Sequence, residues 1–175
     1  LRMLRVLIAD DESKVCQLIE KLVDWGALGM EVVAVAENGI EALEKIKEFH
    51  PDIVITDIRM PGYDGLDLIR LGKEEAPKAE FVIISGYRHF EYAQMAIRYG
   101  VNAYLLKPIK KDELTETLKR LGAHFRAQTE QLSQEEKTRL AIKSDERNLR
   151  QAFLQDLVGR RNKEVLSQPI EKINQ

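Results

Sequence analysis

Short runs rich in β-branched and other apolar residues alternate with amphipathic segments over residues 4–122. This alternation predicts repeated strand-helix units around a mostly parallel sheet. Each run is nearly continuous in apolar residues, as expected of strands that helices cover on both faces. The five runs are Arg5–Ala9, Glu31–Ala36, Ile53–Thr56, Phe81–Ile84 and Ala103–Leu106. We therefore predict an α/β protein in which helices cover both sides of a parallel sheet, a three-layer sandwich.

The segment after the second run has a helical period. Ile40, Leu43 and Ile46 recur at spacings of three residues. They follow an Asn38-Gly39 pair that is typical of a turn. The spacing predicts an amphipathic helix with these three apolar side chains on the face that packs against the sheet.

A different pattern begins near residue 114 and continues beyond the predicted sheet. Apolar side chains recur there at spacings of four and three residues, at Leu114, Leu118, Leu121, Phe125 and Leu132. This pattern predicts a long helix whose distal part is coiled-coil-like. It fades after Leu132 and resumes near Leu149. For residues 123–175 we therefore expect a helical extension made of one long helix, a second helical piece and a poorly ordered tail.

Composition and charge exclude several classes of protein. With 44% hydrophobic and 32% charged residues, the chain is typical of globular proteins, and its longest apolar runs suit strands rather than membrane spans. A net charge of −2 disfavours binding of nucleic-acid phosphates as the main task of these residues. The single cysteine, Cys16, excludes an internal disulfide and favours a cytoplasmic location. We interpret Cys16 as a packed small side chain.

Acidic side chains follow two of the predicted strands. Asp10, Asp11 and Glu12 come directly after the first strand, and Asp57 comes directly after the third. In the flavodoxin-like strand order 2-1-3-4-5 these two strand ends flank the topological switch point, the place where the strand order reverses. Ligands of such sheets bind there. The mutual repulsion of the converging carboxylates requires a cation, and Mg²⁺ suits oxygen ligands that leave room for a phosphate.

Two further strand ends carry groups that suit phosphoryl chemistry. Ser85 follows the fourth strand with a hydroxyl, and Lys107 follows the fifth strand with an ammonium group. We interpret Asp57 as a nucleophile that forms an acyl phosphate, with the metal ion and Lys107 spreading the developing charge. Ser85 would donate a hydrogen bond to a phosphoryl oxygen.

Two stretches of sequence resemble those of a known family. The run Thr56-Asp57-Ile58-Arg59-Met60-Pro61-Gly62-Tyr63-Asp64-Gly65 and the run Tyr104-Leu105-Leu106-Lys107-Pro108 resemble the receiver domain of two-component response regulators, over residues 4–122. The resemblance implies that a sensor histidine kinase supplies a phosphoryl group to Asp57. The modified domain would then switch a transcriptional output, without being a turnover enzyme.

The resemblance also implies a ligand set for Mg²⁺ and a switch. Asp11 and Asp57 would bind the ion directly, Asp10 would act through water, and the backbone carbonyl of Arg59 would be a further ligand. In the switch, Ser85 moves toward the phosphoryl group and Tyr104 turns inward, which rearranges the face formed by helix 4, strand 5 and helix 5. The resemblance further implies a cis Lys107-Pro108 peptide bond, which would aim Lys107 at the phosphate.

A narrower resemblance is to the YesN-like subfamily of AraC-type regulators. It rests on Ser85-Gly86-Tyr87, on Phe90-Glu91-Tyr92-Ala93 and on the helical stretch near Arg147–Arg161. It implies that DNA would be bound only by a C-terminal domain outside these residues, so we expect a truncated chain. The coiled-coil-like pattern of the long helix separately favours a homodimer, formed through the helical extension or through the helix 4, strand 5 and helix 5 face. Two bulky residues near the site, Arg59 and Tyr87, favour slow autodephosphorylation.

Three other functions fit the sequence less well. Phosphatases that form an aspartyl phosphate have two aspartates separated by one residue, a DxD pair. In this sequence Asp10 and Asp11 are adjacent, and position 59, two residues after Asp57, is Arg59 rather than an acid. A flavin site would place hydroxyl groups, not carboxylates, after the first strand. The stronger alternative is a receiver fold kept only as a phosphorylation-independent dimerisation module, which the full set of acidic, hydroxyl and lysine positions disfavours.

Overall fold

The computed structural model describes residues 2–86 and 90–166, and the side-chain surroundings of residues 2–86 and 91–155. The strands are β1 (Leu4–Ala9), β2 (Met30–Ala36), β3 (Ile53–Thr56), β4 (Glu80–Ser85) and β5 (Ala103–Leu106). The helices are α1 (Ser13–Leu22), α2 (Gly39–Phe49), α3 (Gly65–Glu75), α4 (Phe90–Arg98) and α5 (Lys111–Leu166). Each predicted strand is present, with bounds that differ by no more than one residue.

All five strands are parallel and lie in the order β2-β1-β3-β4-β5. The predicted order is therefore confirmed. In the pairing of β1 with β3, Ala9 lies opposite Thr56. The backbone N–H of Asp57 donates to the carbonyl oxygen of Ala9 over 2.9 Å. This register brings the residues that follow β1 and β3 to the same edge of the sheet.

The sheet has a hydrophobic cluster on each face, which makes the predicted three-layer sandwich. On one face, side chains of β1 and β3 pack with α1 and the first turns of α5, including Ile19 and Leu118. On the other face, Phe81 of β4 packs with α2, α3 and α4, including Ile46 and Ile69. Parallel strands covered in this way explain the nearly continuous apolar runs.

The apolar face predicted for α2 is wrong in one position. Ala42 and Ile46 are fully buried, but Ile40 is 51% exposed. The helix begins at Gly39, and Asn38 is its N-cap, whose side chain accepts a hydrogen bond from the backbone N–H of Glu41 over 2.8 Å. Ile40 therefore lies in the first turn, at the flank of the helix, where it packs beside the loop after β3 instead of under the helix.

The helix α5 is one continuous element in the described part of the chain, so the expected second helical piece is wrong. No glycine or proline interrupts residues 123–158, and most residues there favour helix regardless of the apolar stripe. Contacts divide the chain into the units Leu1–Phe125 and Arg126–Gln175. The domain boundary expected after residue 122 stays a prediction, and the tail expected to be poorly ordered extends outside the described residues.

Cys16 lies within the core of the first unit, as expected of a packed side chain. It is 2% exposed, and its thiol donates to the carbonyl oxygen of Asp10 over 3.5 Å. Burial raises the pKa of the Cys16 thiol to about 11. Among the described helices, none has the length and apolar character needed to cross a membrane.

Candidate functional site

Three carboxylates meet at the edge of the sheet where β1 and β3 end. One oxygen from each of Asp10, Asp11 and Asp57 lies within 4.8 Å of the other two. Asp10 and Asp57 are buried and Asp11 is exposed. The structure thus brings together the acidic residues whose convergence the strand order predicted.

Lys107 joins two of these carboxylates. Its Nζ lies 2.9 Å from Oδ2 of Asp10 and 3.0 Å from Oδ2 of Asp57, with the exposed carboxylate of Glu12 at 3.5 Å. Burial alone would lower the pKa of Lys107, but the hydrogen bonds to Asp10 and Asp57 outweigh it and the pKa is raised. Lys107 is therefore a fixed positive charge at ordinary pH.

The end of β5 aims Lys107 at the acidic residues. The backbone N–H of Lys107 donates to the carbonyl oxygen of Ser85 over 2.9 Å, which continues the pairing of β4 with β5 by one residue. The peptide bond between Lys107 and Pro108 is cis, the conformation that the family resemblance implies. Lys107 therefore leaves the sheet at the same edge as Asp57.

Both oxygens of Asp57 are engaged. Oδ1 accepts a hydrogen bond from the backbone N–H of Ile58 over 2.6 Å, and Oδ2 faces Lys107. The carboxylate is thus held in one orientation by a donor on each oxygen. An oriented carboxylate beside a cation is suited to nucleophilic attack on phosphorus.

The electrostatics of the site suit a divalent cation. Burial raises the pKa of Asp10, although the backbone N–H of Glu12 and the ammonium of Lys107 oppose the rise. Among the described residues, three carboxylates face one ammonium group, that of Lys107, and every acidic ligand atom is a hard oxygen. Since Mg²⁺ prefers oxygen ligands and is held by one or two carboxylates plus phosphate, the residues fit this ion.

Ser85 and Tyr104 lie next to each other, at the end of β4 and within β5. Ser85 is fully buried, Tyr104 is half-buried, and their hydroxyl groups hydrogen-bond. Burial raises the pKa of Tyr104, while this hydrogen bond opposes the rise. The two residues that the resemblance assigned to a switch are therefore in direct contact.

Arg59 has a partner that the sequence did not indicate. It is exposed, and its Nη2 donates to the hydroxyl oxygen of Tyr92 on α4 over 3.3 Å. Tyr92 belongs to the run Phe90-Glu91-Tyr92-Ala93 that resembles the YesN-like subfamily, but nothing in that run indicates a contact with Arg59. The role of the Arg59 carbonyl stays a prediction, and Tyr87 lies outside the described residues.

Two glycines fix the loop that follows Asp57. A Cβ atom on Gly65 would lie 2.1 Å from the carbonyl oxygen of Asp57, and one on Gly39 would lie 1.8 Å from that of Tyr63. The backbone N–H of Gly65 also donates to the carbonyl oxygen of Ile58 over 2.6 Å. Close packing of backbone on backbone therefore sets the path of the loop, and a side chain at either glycine would displace it.

A parallel sheet in the order 2-1-3-4-5, with an acidic, lysine-bridged site at its switch point, defines a flavodoxin-like domain built for a cation and a phosphoryl group. Residues 6–119, more than half of the chain, match the model of the response regulator receiver domain. The chain belongs to this family. Receiver domains are phosphoryl acceptors in signalling, and they bind Mg²⁺ in an acidic pocket such as the one formed here.

Similar proteins come from several bacteria. The chain is 40% identical over 126 residues to the uncharacterized transcriptional regulatory protein YesN of Bacillus subtilis strain 168, covering 72% of this chain and 34% of that protein. It is 37% identical over 119 residues to the transcriptional regulatory protein HptR of Staphylococcus aureus strain N315, covering 68% and 46%. The match therefore spans less than half the length of either relative.

A solved structure is similar over the same part of the chain. The REC domain of AraT, a response regulator from Geobacillus stearothermophilus, superposes with a TM-score of 0.70 and 39% sequence identity. The superposition covers 73% of this chain and 98% of the AraT receiver domain. The likeness is thus to an isolated receiver domain.

Proposed function

We propose that Asp57 accepts a phosphoryl group from a sensor histidine kinase and that the modified receiver domain controls a transcriptional output. The observation that carries the proposal is the bridge from Lys107 to both Asp10 and Asp57. It places a cation, an oriented nucleophile and an oxygen-rich metal site within one hydrogen-bonded cluster. The relatives named as transcriptional regulators support the output.

The transfer itself needs little covalent chemistry from the protein. A carboxylate oxygen of Asp57 attacks phosphorus as the phosphorus–nitrogen bond to the kinase histidine breaks, and the histidine nitrogen keeps the electron pair. The ammonium of Lys107 then lies beside the phosphoryl oxygens and offsets their charge. Positioning and electrostatics therefore supply most of the catalysis.

The carboxylates of Asp11 and Asp57 would hold Mg²⁺ directly, Asp10 would act through water, and the carbonyl of Arg59 would complete the protein ligands. When bound, the ion supplies charge neutralisation at the phosphoryl oxygens. Lys107 would then exchange part of its contact with Asp10 for a contact with the phosphoryl group. The chain is modified and slowly hydrolyses its own acyl phosphate, so it is not a turnover enzyme.

The switch would begin at the hydroxyl of Ser85. A hydrogen bond from Ser85 to a phosphoryl oxygen competes with its present contact with Tyr104. The packing of Tyr104 and of the face formed by α4, β5 and the start of α5 then shifts between two populations. The phosphoryl group biases this equilibrium because it contacts only one of the two arrangements.

The output would pass through the helical extension. The exposed apolar side chains Leu132, Leu149 and Phe153 of α5 suit a coiled coil between two copies. A homodimer could also form through the α4, β5 and α5 face. In this proposal DNA is bound by a C-terminal domain beyond the residues of this chain, and the protein acts in the cytoplasm.

The test is phosphorylation of the chain and of an Asp57→Asn variant by acetyl phosphate with Mg²⁺, read as intact mass. We expect one added phosphoryl group on the unsubstituted chain, loss of the addition when Mg²⁺ is chelated, and none on Asp57→Asn. Asp145→Asn, in the distal part of α5, is the matched control and should be modified normally. Absence of modification in the unsubstituted chain would contradict the proposal and favour a phosphorylation-independent dimerisation module.

A further inference from the structure

Arg59 is an exposed side chain that is tied to the body of the domain. It lies two residues after Asp57, and its guanidinium donates to the hydroxyl of Tyr92 over 3.3 Å. Tyr92 is half-buried and packs against the hydrophobic cluster beneath α4. A long, flexible cation is thus held by a ring that the core fixes in place.

Two neighbouring pockets both have Arg59 in their lining. The first opens over the acidic site and is lined by Asp11, Glu12, Asp57, Arg59, Gly86 and Lys107. The second lies beside α4 and is lined by Asp11, Ile58, Arg59, Met60, Pro61, Asp64 and Tyr92. Tyr92 is in the lining of the second pocket and not in that of the first, and its hydroxyl accepts the hydrogen bond from the Arg59 guanidinium. Arg59 is therefore held within the boundary that the two pockets share, beside the entrance to the Asp57 pocket.

We propose that Tyr92 is a positioning residue that holds Arg59 across the mouth of the Asp57 pocket and so prolongs the life of the aspartyl phosphate. The inference rests on the proposed function of Asp57. In hydrolysis, a water oxygen attacks phosphorus, and the bond from phosphorus to the Asp57 oxygen breaks. Asp57 recovers its carboxylate, inorganic phosphate leaves, and the attacking water gives up a proton to solvent.

In this proposal, the guanidinium that Tyr92 holds lies in the path of the attacking water. An arginine side chain that loses this hydrogen bond samples more rotamers, and the pocket mouth is then open for a larger part of the time. The hydroxyl of Tyr92 narrows this distribution without touching the phosphoryl group. Loss of the hydroxyl should therefore speed hydrolysis while leaving the phosphorylation reaction and the fold intact.

The tether also connects the pocket mouth to the proposed switch. Tyr92 and Tyr104 pack against the same hydrophobic cluster, and Tyr104 contacts Ser85 at the end of β4. A rearrangement of Tyr104 would therefore act on the ring that holds Arg59. The lifetime of the phosphoryl group and the conformation of α4 would change together.

The experiment is a double-mutant cycle on the phosphoryl lifetime. The full chain and the variants Tyr92→Phe, Arg59→Ala and the double variant are loaded with acetyl phosphate and Mg²⁺, freed of excess reagent, and followed by intact mass. We expect each single variant to lose its phosphoryl group about three to ten times faster than the unsubstituted chain, a modest effect on a reaction barrier. The double variant should be no faster than Arg59→Ala.

Tyr99→Phe, which removes a hydroxyl from a half-buried tyrosine directly after the same helix, is the matched control and should leave the rate unchanged. Urea unfolding checks that Tyr92→Phe keeps the stability of the domain. An unchanged lifetime in Tyr92→Phe, or multiplicative effects in the double variant, would overturn the positioning role of Tyr92. Failure of the unsubstituted chain to take up a phosphoryl group would instead overturn the proposed function.

Discussion

Lys107 is the residue on which the charge balance of the acidic site depends. Its side chain is 20% exposed, whereas those of Asp10 and Asp57 are 2% and 7% exposed. Two carboxylates this poorly solvated repel each other strongly unless a positive charge lies between them. Without a metal ion, the ammonium of Lys107 is the charge that the described residues supply there.

Replacing Lys107 by methionine should therefore lower the free energy of unfolding more without Mg²⁺ than with it. In chelator, Lys107→Met should lower the free energy of unfolding by about 1–3 kcal/mol, because a charged hydrogen-bond partner is lost from a largely buried site. Added Mg²⁺ should recover most of this loss. Urea unfolding with and without Mg²⁺ measures both effects.

Lys110→Met is the control for this substitution, since Lys110 is exposed, and it should change the free energy of unfolding by less than about 0.5 kcal/mol. An equal loss of stability for Lys107→Met in chelator and in Mg²⁺ would show that Lys107 stabilises the fold by packing of its stem alone.

The identities of the site residues could be predicted from the sequence, but their contacts could not. Asp57 and Lys107 each follow a nearly continuous apolar run, and parallel strands end at a common edge of the sheet. Their positions after the strands were therefore enough to predict that they lie near each other. The bridge from Lys107 to two carboxylates, and the contact of Arg59 with Tyr92, depend on side-chain rotamers. Rotamers are set by the assembled packing and leave no periodic signal in the sequence.

Among the elements, α5 changes its surroundings most along its length. Leu114, Leu118 and Leu121 are buried against the sheet, and Phe125 is half-buried against the same cluster. Further on, Leu132 is 56% exposed. One heptad-like spacing therefore serves two purposes, since its first turns complete the core of the domain and its later turns present an apolar stripe.

Two leucine-to-alanine substitutions in α5 separate these purposes. Leu118→Ala should lower the free energy of unfolding by about 2–5 kcal/mol, because it leaves a cavity in the core. Leu132→Ala should change it by less than about 0.5 kcal/mol in dilute protein, because the side chain is exposed. Urea unfolding of dilute samples gives both values.

At higher concentration Leu132→Ala should weaken self-association, measured by light scattering on a size-exclusion column. The unsubstituted chain is the reference. If it remains monomeric at every concentration tested, the proposed coiled coil is contradicted. The proposed coiled coil would also be contradicted if Leu132→Ala lowered the free energy of unfolding in dilute protein as much as Leu118→Ala does.

The sequence predicted the strands, which are buried on both faces, better than the helices, whose burial changes along their length. Strands covered on both faces leave a contiguous apolar signal, which gave their bounds within one residue. The helix α2 was predicted with Ile40 on its core face because the spacing fits, but the first turn lies beside the loop after β3 and leaves Ile40 exposed. The break expected in α5 was wrong because a weak apolar stripe does not imply a weak helix.

At the scale of the whole molecule, the buried hydrophobic core lies in the first unit. In the described part of the chain the last buried hydrophobic residue is Leu121, and the half-buried Phe125 closes the cluster. Stability of the first unit should therefore depend little on the residues that follow it.

A chain that ends after Phe125 should accordingly unfold cooperatively in urea, with a free energy of unfolding within about 1 kcal/mol of that of the first unit in the full chain. The denaturant midpoint and slope, followed by Trp25 fluorescence, provide the comparison. A control chain that ends after Arg120 removes Leu121 and Phe125 and should be markedly less stable. A loss above about 2 kcal/mol on cutting after Phe125 would show that the later residues stabilise the domain.

The burial of Cys16 has a practical consequence for spectroscopy. It is the one cysteine in the sequence, and with a pKa of about 11 and 2% exposure its thiol should react very slowly with maleimides near neutral pH. A second cysteine placed by Leu140→Cys on the exposed part of α5 would then take a nitroxide spin label selectively, without first removing Cys16. Dipolar distances between two such labels would distinguish parallel from antiparallel pairing of the helices and report how phosphorylation changes it.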